Sequence, residues 1–204
     1  MKKDEIRRAV RDRYSAIARE EVGGCGCGCG CREESDGGNL ATISPTVGYD
    51  EKQLSVAPPD SDLGLGCGNP TALAKLRKGE TVVDLGSGGG LDCFLASREV
   101  GPEGRVIGVD MTPDMLERAR KTAQAGGYEN VEFRLGEIEA LPIADNSVDA
   151  VISNCVINLS PDRARVFREI FRILKSGGRV MISDLISEHA TPGFLLEDAD
   201  ALVG

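Results

Sequence analysis

VVDLGSGGGLD, residues 82–92, decides the fold. Val82 to Leu85 read as the end of a buried strand. Four glycines then fall within residues 86–90, and a helical pattern opens at Leu91. A chain that doubles back so tightly, leaving its backbone open to a ligand, needs residues without a Cβ. The N–H groups of such a turn point into the crevice at the strand ends. Outward from it, the pattern alternates. Residues 91–101 read as a helix, RVIGVD (105–110) as a strand, and a helix begins at Pro113 and closes at Gly126. VEFRL (131–135) and SVDAVISN (147–154) are strands, 161–178 is a helix with Val166, Ile170, Ile173 and Leu174 on one stripe, and RVMISDL (179–185) is a fifth strand. Upstream, TALAKLRKGE follows Asn69-Pro70 as a helix ending at Gly79. Strands alternating with helices imply an α/β, Rossmann-like domain whose mostly parallel sheet is covered on both faces.

Before this region, residues 4–20 space Ile6, Val10, Ala16 and Ile17 as a short amphipathic helix. The tract from Gly23 to Cys31 is too glycine-rich for a stable helix, and the polar stretch 32–65 reads as a loop or lid. The expected division is therefore an N-terminal helix over 1–22, a Cys/Gly-rich tract and loop over 23–66, and the main domain over 67–204.

Charge and composition remove several function classes. A net charge of −9 disfavours phosphate-rich partners, so no nucleic acid is expected. Trp is absent and aromatics make up 4%, which gives neither base-stacking platforms nor a membrane-interface belt. No segment approaches the ~18 apolar residues of a membrane span, and MKKDEIRRAV lacks the apolar run of a signal peptide. A cytoplasmic chain with reduced thiols is expected, and its seven cysteines suggest soft-ion or redox chemistry more than a disulfide framework. The single histidine, His189, excludes multi-histidine metal sites and most histidine-dependent nucleophiles.

The glycine turn does not follow the dinucleotide fingerprint. Gly86 and Gly88 fit G-x-G-x-x-G/A, but the third position is Leu91. The pattern is D-x-G-x-G-x-G, from Asp84 to Gly90. A carboxylate at the strand end suits a positively charged ligand. Asp110 ends the second strand, where it can accept both hydroxyls of a ribose, with Met111 beside it to pack on a base. Glu137 and Ile138 follow the third strand, Glu137 reading either as a binding residue or as a surface charge. Asn154 ends the fourth strand at the pocket mouth. This stretch resembles the class I S-adenosylmethionine-dependent methyltransferases, which implies cofactor contacts from Asp84, Gly86, Ser87, Gly88, Gly90, Asp110, Met111, Glu137, Ile138 and Asn154.

Cysteines make the resemblance more specific. Cys93 falls on the apolar face of a helix and reads as core. Cys155 ends the fourth strand, where a buried thiol of no chemical role is the competing reading. Cys67 sits between glycines in a loop. VRDRYSAIA, GYDEKQLSVAPPDSDLGLGCGNP and SNCVINLSPDRARVFREIFRILKSGG together are similar to the arsenite methyltransferases. That similarity implies that Cys67 and Cys155 are arsenic-binding, catalytic thiolates. It implies arsenite or an arsenic–thiol conjugate as substrate, methylated arsenicals as products of a detoxification reaction, and thioredoxin or glutathione as reductant. Cys25, Cys27, Cys29 and Cys31 form C-G-C-G-C-G-C, whose alternate residues can share one soft ion, or can be a plain flexible tether. No structural zinc is expected there, because the spacing is not C-x₂₋₄-C.

The family continues beyond the stretch matching EDADALVG with a further arsenic-ligand cysteine, a helix and two strands. The sequence is thus expected to be C-terminally truncated, lacking the last two strands of the fold and exposing its fifth strand. Two rivals to arsenite methylation stay open: methyl transfer to another small-molecule acceptor, and non-catalytic arsenite binding by a thiol-rich fragment.

Overall fold

The structure is a computed structural model and describes residues 3–19 and 47–186. Five strands form one parallel sheet: β1 (Thr81–Leu85), β2 (Arg105–Asp110), β3 (Val131–Leu135), β4 (Val148–Asn154) and β5 (Leu174–Ser183), in the order β3-β2-β1-β4-β5. The helices are α1 (Lys3–Ala18), α2 (Glu51–Val56), α3 (Pro70–Ala74), α4 (Leu91–Val100), α5 (Pro113–Gly126) and α6 (Arg163–Ile173).

Strand alternation builds two cores. Val82, Val106, Ala150 and Ile152 point to one face and pack with Phe94 and Ala96 of α4 and Leu116 and Ala119 of α5. Their neighbours Val83, Ile107 and Val151 point to the other, where Val166, Ile170 and Ile173 of α6 cover them. The central strands β1, β2 and β4 therefore read as nearly continuous apolar runs, as burial on both faces requires, whereas β3 and β5 at the sheet edges are largely exposed or half-buried. Asp162 caps α6 by accepting the Arg165 N–H at 3.1 Å, which satisfies a donor that the first turn leaves open. The winding order reverses between β1 and β4, so a crevice opens beyond their carboxyl ends. α1 lies over that crevice, with Ile17 and Tyr14 packed against Met115 and Leu63.

Three local expectations are corrected. The helix expected over 161–178 ends at Ile173, and Leu174 turns extended (φ −69°, ψ 135°) to start β5, opposite Val148. A register shift follows, with Gly177 at φ +80°, before Arg179 pairs with Ala150. The helix expected from Pro70 to Gly79 stops at Ala74, because Lys75 is left-handed and Arg179 takes the carbonyls of Ala74 (2.7 Å) and Lys75 (2.9 Å). Within the expected 32–65 loop lies α2, where Asp50 and Gln53 cap each other's backbone N–H groups. The Cys25–Cys31 tract, His189 and residues 187–204 lie outside the described residues. No described helix is long and apolar enough to cross a membrane.

Candidate active site

β1 ends at Leu85 and the glycine turn begins. The N–H groups of Gly86 and Ser87 both donate to Val109 O, at 2.8 and 3.1 Å, which fastens the turn to β2. Gly86, Gly88 and Gly90 all have positive φ. A Cβ at Gly86 would overlap Val156, whereas one at Gly88 would meet nothing within 4 Å. The backbone at Gly88 therefore faces open space. Asp110 stabilises it, its Oδ2 accepting Gly88 N–H at 2.9 Å and its Oδ1 accepting Thr112 N–H at 2.8 Å.

Three aspartates are buried around this crevice, Asp84, Asp92 and Asp110, together with Glu139, which pairs with Arg7. Asp84 accepts the Cys93 thiol at 3.3 Å. Asp92 accepts the Tyr49 hydroxyl at 2.8 and 3.0 Å and Asn154 Nδ2 at 3.1 Å. Burial is the main force on all three, and it pushes each carboxyl above its ordinary range. Asp84 is driven well above it, the Asp92 charge adding to its desolvation. Asp92 rises to about 6, held back by its bonds from Asn154 and Tyr49. The Tyr49 phenol is likewise pushed up, by burial and then by the Asp92 charge. Among the described residues that line the crevice, Arg7 is the only arginine or lysine, and it is paired with Glu137 and Glu139. The acidic wall thus has the electrostatics of a site for a cationic ligand. Ser87 Oγ, buried and without a hydrogen-bond partner, is a further open polar group in the same turn.

The crevice lies between Met111, Gly136 and Ile138 on one side and Val10, Tyr14 and Leu63 under α1 on the other, with Asn154, Cys155 and Val156 at its end. Of the residues expected to contact a cofactor, Asp84, Gly86, Ser87, Gly88, Asp110, Met111, Ile138 and Asn154 line it. Gly90 lies behind the wall, where a Cβ would press on Phe94 and Phe133 at 2.9 Å. Glu137 is not in the lining; it pairs at 3.2 Å with Arg7, which is. Tyr49 and Asp92 line the crevice without having been singled out as site residues. Asp92 was within reach, since it closes the motif that decides the fold; Tyr49 gave no signal, standing in a polar stretch 43 residues from its partner.

The reduced-thiol expectation is corrected for one pair. Cys67 and Cys155 form a disulfide with Cα atoms 5.8 Å apart. Cys155 takes φ +54° directly after β4, and its N–H donates to Ser183 O at 2.8 Å. The Cys67 N–H donates to Asn154 Oδ1 at 3.0 Å. The flanking glycines explain the G-C-G sequence. A Cβ at Gly66 would stand 2.8 Å from Asn154 Nδ2, and one at Gly68 would overlap the Ser183 side chain. Only a bare backbone brings Cys67 this close to β4 and β5. Cys155 lines the crevice, with Cys67 bonded behind it. Cys93 is fully buried, as read from its helix face, and burial pushes its thiol well up.

A doubly covered parallel sheet with a glycine turn and a carboxylate at each of its first two strand ends defines a Rossmann-like cofactor-binding domain. Residues 76–202 match the methyltransferase domain family, and the chain belongs to it. It is 50% identical over 206 residues to the arsenite methyltransferase of Halobacterium salinarum, an alignment covering 98% of this chain and 52% of that protein. With the arsenite methyltransferase of Aquipseudomonas alcaligenes it shares 44% identity over 140 residues, 65% of this chain and 40% of that one. Among solved structures, an arsenic (III) S-adenosylmethionine methyltransferase from Chlamydomonas reinhardtii superposes with a TM-score of 0.61 at 36% identity, covering 80% of this chain and 54% of that one. The chain thus spans about half the length, or less, of these relatives.

Proposed function

We propose that this chain binds S-adenosylmethionine in the crevice beyond β1, β2 and β4, and that it methylates trivalent arsenic held by Cys67 and Cys155. The observation that carries the reading is a pair of adjoining cysteines, one of them lining a buried acidic crevice in a methyltransferase fold. When bound, S-adenosylmethionine supplies a methyl group on a positively charged sulfur.

The residues present fit that ligand. Asp84 and Asp92 offer buried carboxyls whose charged form a cationic ligand end would favour, and Asp110, anchored by backbone N–H groups, stands where its carboxylate can meet ribose hydroxyls. Met111 and Ile138 supply apolar walls, and the unpartnered Ser87 hydroxyl supplies one more polar contact. On the acceptor side, reduced Cys67 and Cys155 displace two hydroxyls from arsenite as water and leave the arsenic lone pair free. Held by Cys67 and Cys155 with its lone pair free, the arsenic would itself be the nucleophile toward a bound methyl donor, so the site would require no general base. The thiols do this only once the Cys67–Cys155 bond is reduced, which gives a cellular dithiol or glutathione its part and favours the reducing cytoplasm. The enzyme's contribution is to orient two bound reactants.

The test is mass spectrometry of products from arsenite, S-adenosylmethionine and a thiol reductant, alongside calorimetric cofactor affinity. Asp110→Ala should weaken cofactor binding by about 10-fold or more, since charge-assisted bonds are worth ~1.5–3 kcal/mol. Cys67→Ser with Cys155→Ser should abolish arsenic methylation while cofactor affinity stays. Unchanged affinity in the first variant removes the cofactor assignment. Continued arsenite turnover in the second removes the thiol assignment and points to another acceptor mode.

A further inference from the structure

The methyl-transfer reading leaves one group beside the two sulfurs unused. Asp184 follows β5 directly, and a carboxylate oxygen of it lies with Cys67 Sγ and Cys155 Sγ in a set whose members are all within 4.8 Å of one another. All three residues are half-buried. The carboxylate is held in place: Asn158 N–H donates to Oδ2 at 3.2 Å, Asn158 Nδ2 donates to Oδ1 at 2.7 Å, and Leu185 N–H donates to Oδ1 at 2.9 Å. The two cysteines are anchored by Asn154 Oδ1, which accepts the Cys67 N–H, and by the Ser183 carbonyl, which accepts the Cys155 N–H.

Trivalent arsenic draws its ligands chiefly from sulfur and has little use for a carboxylate. Divalent cations of the zinc class take both, with metal–sulfur distances of ~2.3 Å and metal–oxygen distances of ~2.0–2.2 Å. A tetrahedral ion then needs ligand atoms roughly 3.3–3.8 Å apart, which lies within the 4.8 Å bound of this cluster once reduction lets the two bonded sulfurs separate. We propose that reduction of the Cys67–Cys155 bond opens a two-sulfur, one-oxygen chelate in which Cys67, Cys155 and Asp184 bind a thiophilic divalent cation of the zinc class. The fourth position goes to water. Binding releases the two thiol protons and changes no oxidation state. The chelate shares its sulfurs with the arsenic site, yet it rests on their geometry with Asp184 and not on the arsenic reading.

Cobalt(II) is the probe, because thiolate ligation gives it a charge-transfer absorption. The parent is the full chain with Cys25, Cys27, Cys29 and Cys31 replaced by Ser, kept reduced with a phosphine. It should bind one cobalt with the thiolate band, and zinc should displace that cobalt. Cys67→Ser and Cys155→Ser should each abolish the band. Asp184→Asn should weaken cobalt at least ~10-fold, the lower end of what even outer-shell partners of a metal contribute, while arsenite affinity shifts by less than about twofold. Asp184→Glu should restore most of the cobalt affinity, and matching thermal melts verify that each variant folds. A band that survives either cysteine variant overturns the proposal, as does cobalt affinity unmoved by Asp184→Asn or an equal loss of arsenite and cobalt binding. A parent that binds cobalt but not arsenite supports the chelate and sinks the arsenic reading.

Discussion

Replacing Asp92 by asparagine should stabilise the ligand-free chain at neutral pH, although it removes a charged group that accepts three hydrogen-bond contacts. Asp92 is 7% exposed, and burial raises its carboxyl from the usual 3.8 to about 6. Because the folded value lies above the unfolded one, the folded chain keeps a proton that the unfolded chain has lost. The contribution of Asp92 to stability is therefore greatest below the ordinary carboxyl range and falls as pH climbs through about 6. At ~1.4 kcal/mol per pH unit, the full effect of a gap of this size is about 3 kcal/mol. Asparagine carries no charge to desolvate, and an amide oxygen in place of Oδ2 still accepts Tyr49 (3.0 Å) and Asn154 (3.1 Å). It also lifts one source of repulsion from Asp84, whose carboxyl is raised partly by the Asp92 charge. A gain of ~3 kcal/mol corresponds to a Tm rise of roughly 6–12 °C in a chain of this size. The assay is urea unfolding of parent and variant at pH 5 and pH 7.5 without ligand. This window lies above the range where the ion-paired Glu80, Asp149 and Glu169, all held below their ordinary values, lose their charge. The parent should lose stability between the two pH values, and Asp92→Asn should lose about 1 kcal/mol less, the slope that remains coming from the raised carboxyls of Asp84 and Asp110. A variant less stable than the parent at pH 7.5, or one with the parent's pH slope, would refute the reasoning.

Ser87→Ala should leave stability within ~0.5 kcal/mol, because its buried hydroxyl has no partner to lose. It should nonetheless weaken S-adenosylmethionine by about 2- to 10-fold on calorimetry, the worth of one neutral hydrogen bond; a stability loss above 2 kcal/mol would show that the hydroxyl has a structural role. Gly86→Ala and Gly88→Ala form a contrasting pair. The first adds a clash with Val156 to a positive φ and should lower Tm and slow formation of the Cys67–Cys155 bond. The second meets only open space and should cost about 1–2 kcal/mol of backbone strain while impairing cofactor binding; equal thermal losses in the two would refute the contrast.

The sheet was legible because burial on both faces writes strands as apolar runs, and TVVDL, RVIGVD and SVDAVISN are such runs punctuated by glycine, proline or asparagine. Leu174 misled the reading of α6, since it packs on the same core as Val166 and Ile173 whether it stands on a helix or a strand. Periodicity cannot separate those cases. The end of α3 was hidden for another reason: Arg179, more than a hundred residues away, captures its last carbonyls. The glycine turn and Asp110 were readable because their chemistry is local in sequence. Tyr49 and Asp184 were not, because each joins the site through partners far along the chain.

Asn154 shows how the two halves of the site depend on each other. Its Oδ1 accepts the Cys67 N–H, while its Nδ2 donates to Gly68 O at 2.8 Å, to the Tyr49 hydroxyl at 2.9 Å and to Asp92 at 3.1 Å. One amide therefore fixes the loop that carries a thiol and touches the carboxylate most directly tied to the acidic crevice. An amide has two hydrogens, so three acceptors around Nδ2 must share them. A charged Asp92 competes for them strongly, and a protonated Asp92 competes weakly or turns donor. The charge on Asp92 thus alters how firmly Asn154 holds Gly68 and, through it, Cys67. A cation in the crevice would favour the charged form, so under the proposed function the hydrogen bonds that position the Cys67 loop and the electrostatics met by a cationic ligand would be set by one shared group of side chains.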